Sequence, residues 1–149
     1  MLAHRPEFKV AGIDHIVLRV RDLQRALRFY RDVLGCAIER EEPQLGLMQL
    51  RAGRSLIDLV TADGPLGRRA DSDEEEEDAS PGGGPNLEHF CLSLVPFEEP
   101  ALYAHLAAHG VAAGEPAARY GAQGEGRSFY IEDPDGNRIE LKAGRDRIA

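Results

Sequence analysis

The sequence predicts an α+β fold built from two β-α-β-β-β modules in tandem, over 12–61 and 86–143, joined by a linker at 62–85. Three observations predict it. An alternating apolar run carrying a histidine occurs twice, with His15 and His89 separated by 74 residues. Each run is followed by a helical pattern that a glycine ends, Gly35 and Gly110, at a shift of 75. Each module closes on a strand with one acid among aliphatics, Asp58 and Glu140, at a shift of 82. Shifts that grow along the chain are what loop insertions into a duplicated unit produce.

The first strand, 12–20, places Ile16, Leu18 and Val20 on one face and His15, Val17 and Arg19 on the other, because successive side chains alternate. Asp22 is an N-cap and Gly35 a C′ residue for a helix whose apolar stripe is Leu23, Ala26, Leu27, Tyr30, Val33 and Leu34. Strands follow at 37–40, 45–51 and 55–61, with 51–54 as the hairpin turn between the last two. The linker carries Gly64-Pro65, seven acids in the eight residues 71–78, and a Ser-Pro-Gly-rich end at 80–85. Such a composition cannot bury apolar area, so a solvated connector is expected.

The second module repeats the plan. Strand 86–94 puts Phe90, Leu92 and Leu94 on the apolar face and His89, Cys91 and Ser93 opposite. A helix begins near Glu98-Glu99-Pro100 and carries Leu102, Tyr103, Leu106 and Ala107 as its stripe. Strand-like runs at 111–113 and 128–132 lead to the turn Asp133-Pro134-Asp135-Gly136-Asn137 and a last strand at 138–142. The glycine-rich 121–126 is no phosphate loop, since no Lys-Ser/Thr follows it, and reads as a flexible rim.

At 149 residues and 42% hydrophobic, the chain is one domain's worth of foldable protein. Its net charge of −8 argues against nucleic acid or an anionic membrane as partner, although the run at 71–78 carries most of that charge. No segment reaches the ~20 apolar residues of a membrane span, and 1–10 lacks a signal-peptide core. Cys36 and Cys91 form no disulfide framework or zinc-ribbon pattern, so a cytoplasmic, reduced location is expected.

The repeat also concentrates chemistry. His15, Asp58, His89 and Glu140 all fall opposite the apolar faces of matching strands. If the halves pair about a pseudo-twofold axis, all four can meet in one concavity. Two imidazoles and two carboxylates neutralise a dication and suit Zn²⁺, Ni²⁺, Mn²⁺, Co²⁺ or Fe²⁺. A lone strand histidine is usually a hydrogen-bonded residue of no catalytic note; recurrence with paired acids is what favours metal.

These pieces resemble the vicinal oxygen chelate superfamily, which includes glyoxalase I, extradiol ring-cleaving dioxygenases, fosfomycin-resistance enzymes and bleomycin-binding proteins. The resemblance rests on Gly12-Ile13-Asp14-His15-Ile16-Val17-Leu18, on Ala26-Leu27-Arg28-Phe29-Tyr30 with Leu34-Gly35, on Leu87-Glu88-His89-Phe90, and on the run 128–141 ending Gly136-Asn137-Arg138-Ile139-Glu140-Leu141. It implies two βαβββ modules curled around a metal cavity, with His15, Asp58, His89 and Glu140 as ligands of one divalent ion. It implies a glyoxalase-like lyase or isomerase, in which a carbonyl is polarised and Glu140 or Asp58 moves a proton. It also implies a homodimer, because open half-barrels leave sheet edges to cover.

Asp58 is the departure, one methylene shorter than the Glu of glyoxalase I enzymes. If it falls short, His15, His89 and Glu140 form a two-His-one-carboxylate set suited to Fe²⁺ and ring cleavage. A third reading is a non-catalytic small-molecule binder of the bleomycin-resistance type; such proteins usually lack the metal residues. Tyr130, Cys91 and Arg19 are candidate substrate contacts, with Arg51, Arg119, Arg127 and Arg138 as further cations for an anionic group. Cys91 reads first as a small buried thiol packed beside the site, and His4, His105 and His109 as surface. Whether the modules pair within one chain or across two copies stays open.

Overall fold

A computed structural model describes residues 6–68 and 86–145; His4, the acidic run 71–78 and most of the expected linker lie outside the described residues. The first half runs β1 (His15–Val20), α1 (Leu23–Leu27, continuing as a π-helical segment through Arg28–Val33), β2 (Ile38–Glu42), β3 (Leu47–Ala52) and β4 (Ser55–Thr61). The second runs β5 (Phe90–Leu94), α2 (Glu99–Ala108), β6 (Ala117–Gly121), β7 (Gly124–Glu132) and β8 (Arg138–Ala143). Each half forms its own four-stranded mixed sheet, ordered β1-β4-β3-β2 and β5-β8-β7-β6, with the first-named pair parallel and the rest antiparallel. The sheets do not close into a barrel.

The expected caps are in place. The Asp22 carboxylate accepts the Arg25 amide at 3.1 Å, and the helix ends at Leu34 before Gly35 turns left-handed at φ 78. Alternation works as expected too. Leu18, Val20, Ile57, Leu59, Phe129, Ile139 and Leu141 are buried and, with Leu27, Tyr30 and Leu106 from the helices, form one core shared by both halves. Val17, on the opposite face of β1, is 54% exposed.

Three local expectations are corrected. Residues 111–113 are not a strand: the Val111 amide bonds to Leu106 O at 2.9 Å and the Gly114 amide to Tyr130 O at 2.9 Å, so this stretch closes the helix end. The glycine-rich 121–126 is not a loose rim, because Ala117 to Gly121 pairs with Ser128 to Gly124 in a regular antiparallel hairpin. Glycine weakens a strand without forbidding the ladder. Finally, Ala107 is exposed rather than part of the buried stripe of α2, where Leu106 alone is fully buried. Among the described residues, no helix is long and apolar enough to cross a membrane.

Candidate metal centre

Strand register decides which side chains share a face. In the first sheet Val17 pairs with Asp58 and Asp58 with Gln49. In the second, Cys91 pairs with Glu140 and Glu140 with Tyr130. Tyr130, whose facing alternation alone left open, therefore stands with Glu140 opposite the core, while Phe129 and Ile131 are buried. His15 begins β1, and His89 sits one residue before β5.

The structure brings the four candidate ligands together in twos. His15 Nε2 lies 4.0 Å from Asp58 Oδ2, and His89 Nε2 lies 3.2 Å from Glu140 Oε1. Among the described residues, no three His, Cys, Asp or Glu groups are grouped to hold one ion. Meeting of all four in a single concavity of one chain is thus not what the fold produces.

Each pair is nonetheless built like half of a metal site. His15 Nδ1 is 2.7 Å from Asp14 Oδ1, and His89 Nδ1 is 2.6 Å from Glu88 Oε1. A carboxylate on Nδ1 fixes the tautomer with the proton there and leaves the Nε2 lone pair facing the partner acid. The Asp14 hydrogen bond, with the Asp58 charge next, raises the pKa of His15 above its ordinary value. The His89 hydrogen bond, helped by Arg138, holds Glu88 below the usual carboxylate range.

The two arms differ in how firmly they are held. Arg138 Nη1 donates to both oxygens of Glu88, at 2.9 and 2.8 Å, and its guanidinium lies 3.8 Å from the centre of the Tyr130 ring. That ring in turn meets His89 edge-on at 5.2 Å and has Arg119 at 4.7 Å. Asp14 is exposed, and no such clamp holds it among the described residues. On the first side, Gln49 Nε2 donates to Asp58 Oδ2 at 3.0 Å, while the buried Asp58 Oδ1 has no hydrogen-bond partner among the described residues.

An unpartnered, buried carboxylate oxygen is costly unless something else satisfies it. A cation beside the carboxylate or a transferred proton would satisfy it, and the donor set fits a borderline divalent ion. An ion held at about 2.1 Å by one nitrogen and one oxygen keeps them roughly 3.0–3.4 Å apart. His89 and Glu140 already stand at that separation; His15 and Asp58 do not.

The remaining candidates separate clearly. Cys91 is exposed toward a cavity rather than buried, yet its sulfur is desolvated enough, with Glu140 adding to the effect, to push its pKa up to about 11. It is a thiol at neutral pH, not a nucleophile. Arg19 Nε donates to Gly67 O at 2.6 Å, which ties β1 to the chain after β4. Arg51 pairs with Glu39 and Arg127 with Glu99, both exposed. His105, although exposed, bonds through Nε2 to Val33 O at 2.8 Å and so links the two helices. Asp14, Glu88, Gln49 and Lys142 were not singled out from sequence. An acid directly before each histidine was the available signal.

With this geometry in view, the chain belongs to the Glyoxalase/Bleomycin resistance protein/Dioxygenase superfamily, whose pattern matches residues 12–141. It is 31% identical over 131 residues to the "Virulence protein STM3117" of Salmonella typhimurium, covering 87% of this chain and 81% of that protein. The crystal structure of that protein superposes with a TM-score of 0.68 at 27% identity, over 93% of this chain and 100% of that one. The "Catechol-2,3-dioxygenase" of Bacillus subtilis is 29% identical over 91% of this chain, which spans only 42% of that protein. A lactoylglutathione lyase from Agrobacterium tumefaciens shares the fold at a TM-score of 0.63 and 24% identity, over 91% of this chain and 95% of that one.

Proposed function

We propose that this protein is a divalent-metal-dependent enzyme of the glyoxalase type, acting on a small molecule with adjacent oxygens. His15, Asp58, His89 and Glu140 would hold the ion. The observation that carries the reading is the paired arrangement in which each imidazole is pinned at Nδ1 by an acid and presents Nε2 to a buried carboxylate. Because the two pairs stand apart in one chain, we further propose that they are united across two copies, each copy supplying one pair to each site. The open faces around Val17 and His15 support that arrangement.

When bound, the ion supplies Lewis-acid stabilisation of negative charge developing on a substrate oxygen. The chain's own residues do the rest. Asp58 and Glu140 are both buried, which keeps bulk water from competing at their oxygens. Asp58 Oδ1, which no donor reaches among the described residues, is the atom best placed to accept a proton, and Gln49 holds its other oxygen. Tyr130, clamped between Arg119 and Arg138, walls the second pair.

A second reading is favoured by one distance. At 4.0 Å from His15 Nε2, Asp58 stands outside the bite that Glu140 makes with His89, which leaves His15, His89 and Glu140 as a three-ligand set for Fe²⁺ and ring cleavage. Metal analysis of protein purified without chelator separates the readings. Tightly held nickel or zinc supports the isomerase or lyase, oxygen-sensitive iron supports the dioxygenase, and protein that takes up no divalent ion leaves a non-catalytic binder.

A further inference from the structure

Beside Glu140 lies a cavity of about 370 Å³ that the proposed chemistry does not use, lined in part by Cys91, Ser93, Gly121, Gln123 and Lys142. Lys142 is the unusual member. It is 6% exposed, and its ammonium makes one hydrogen bond among the described residues, to Gly124 O at 2.9 Å. It takes part in none of the ion pairs among those residues. An ammonium has three protons to place, and buried lysines without an acid partner are rare.

The hairpin is shaped around this side chain. A Cβ on Gly121 would fall 3.1 Å from Lys142 Cε, and one on Gly126 would fall 3.0 Å from Lys142 Nζ. The glycines that looked like a flexible rim are the floor of a channel for the lysine stem. Lys142 is also two residues beyond Glu140 on β8, so both stand on the same face, roughly 6.6 Å apart along the strand. Arg145, whose amide bonds to Gln123 Oε1 at 3.0 Å, adds a second cation at the cavity wall.

We propose that this cavity is the subsite for a carboxylate carried by the substrate, held by the Lys142 ammonium while the substrate's vicinal oxygens face Glu140. The proposal rests on the metal-site reading above and narrows its substrate class to small organic acids. Lys142 and Arg145 set against Glu140 leave a net single positive charge at the cavity, which suits a monoanion better than a phosphate dianion.

The test uses catechol and 3,4-dihydroxybenzoate, which offer the same oxygen pair without and with a carboxylate across the ring. On metal-loaded protein, calorimetry should find the acid about tenfold tighter or more. Lys142→Met should abolish that preference, bringing the acid down to the affinity of catechol measured on the same variant; a preference that survives the substitution overturns the subsite. Metal uptake, measured separately, tells failure of the metal reading from failure of this one. A second arm needs neither metal nor mutation. Lys9 and Lys142 are the chain's two lysines, so ¹⁵N-lysine labelling gives two side-chain signals. Benzoate should shift the Lys142 signal and spare Lys9, while benzyl alcohol shifts neither. Absence of a Lys142 response to benzoate, or a larger response to inorganic phosphate, overturns the assignment.

Discussion

The hydroxyl of Tyr30, in the helix of the first half, donates to Asp133 Oδ2 in the turn of the second half at 2.5 Å, with both side chains sealed from solvent. Asp133 is also the hub of its own turn: Oδ1 accepts the amides of Asp135 and Asn137, and Oδ2 accepts the Asn137 side chain. The adjacent Asp135 takes the Arg21 amide at 3.0 Å. The 133–137 segment, which the sequence marks as a turn, is also the clasp between the halves.

Tyr30→Phe removes one donor to a buried carboxylate and leaves the packing in place. A hydrogen bond to a charged acceptor is worth about 1.5–3 kcal/mol. Urea unfolding should show a loss in that range with unchanged m-value, whereas a loss under about 0.5 kcal/mol would mean that the Asp135 and Asn137 donors suffice for Asp133.

The same tyrosine sets an alkaline limit. Burial, with the Asp133 charge next, pushes its pKa well above the ordinary 10 in the folded state. Above about pH 10 the unfolded chain releases a proton that the native chain keeps, so the unfolded state binds fewer protons and stability falls as pH rises. The Tyr30 contribution is complete below pH 10 and declines by about 1.4 kcal/mol per pH unit beyond it. Tyr30→Phe should flatten that decline in denaturation curves between pH 9 and about 11.

If each metal site draws one pair from each copy, two crippled chains can repair one another. A His15→Gln/Asp58→Asn chain and a His89→Gln/Glu140→Gln chain should each fail to retain nickel. Mixed and allowed to exchange, they should recover roughly a quarter of the wild-type content, since half the dimers are mixed and each of those has one intact site. Equilibrium dialysis reads the result, and no recovery refutes the shared site.

The acids behind the histidines should matter unequally. Glu88 is clamped by Arg138, whereas Asp14 is exposed. Removing a partner of this kind costs about 10–100-fold in metal affinity. Glu88→Gln should fall in that range and Asp14→Asn below it, as judged by chelator competition.

Much of this was legible beforehand because period-two alternation is a strong constraint. It put Leu18 and Leu141 inside and His15 and Glu140 opposite, and it paired Asp58 with Glu140 through the repeat. The hairpin at Ala117–Gly121 escaped because its glycines serve a side chain, Lys142, that comes later in the chain. Tyr130 was ambiguous until its register with Glu140 was known. The separation of the four candidate ligands into two pairs also escaped, because strand periodicity fixes facing within a sheet and says nothing of how two sheets are set relative to each other.

If two copies unite as proposed, the clasp also bears on how they come together. Trading a half between chains would require pulling Tyr30 away from Asp133 and opening the common core, a near-complete unfolding event. Association between finished molecules avoids that barrier. Pairing should therefore proceed at encounter-limited rates set by concentration, and stocks kept long at high concentration should not drift into interlocked forms.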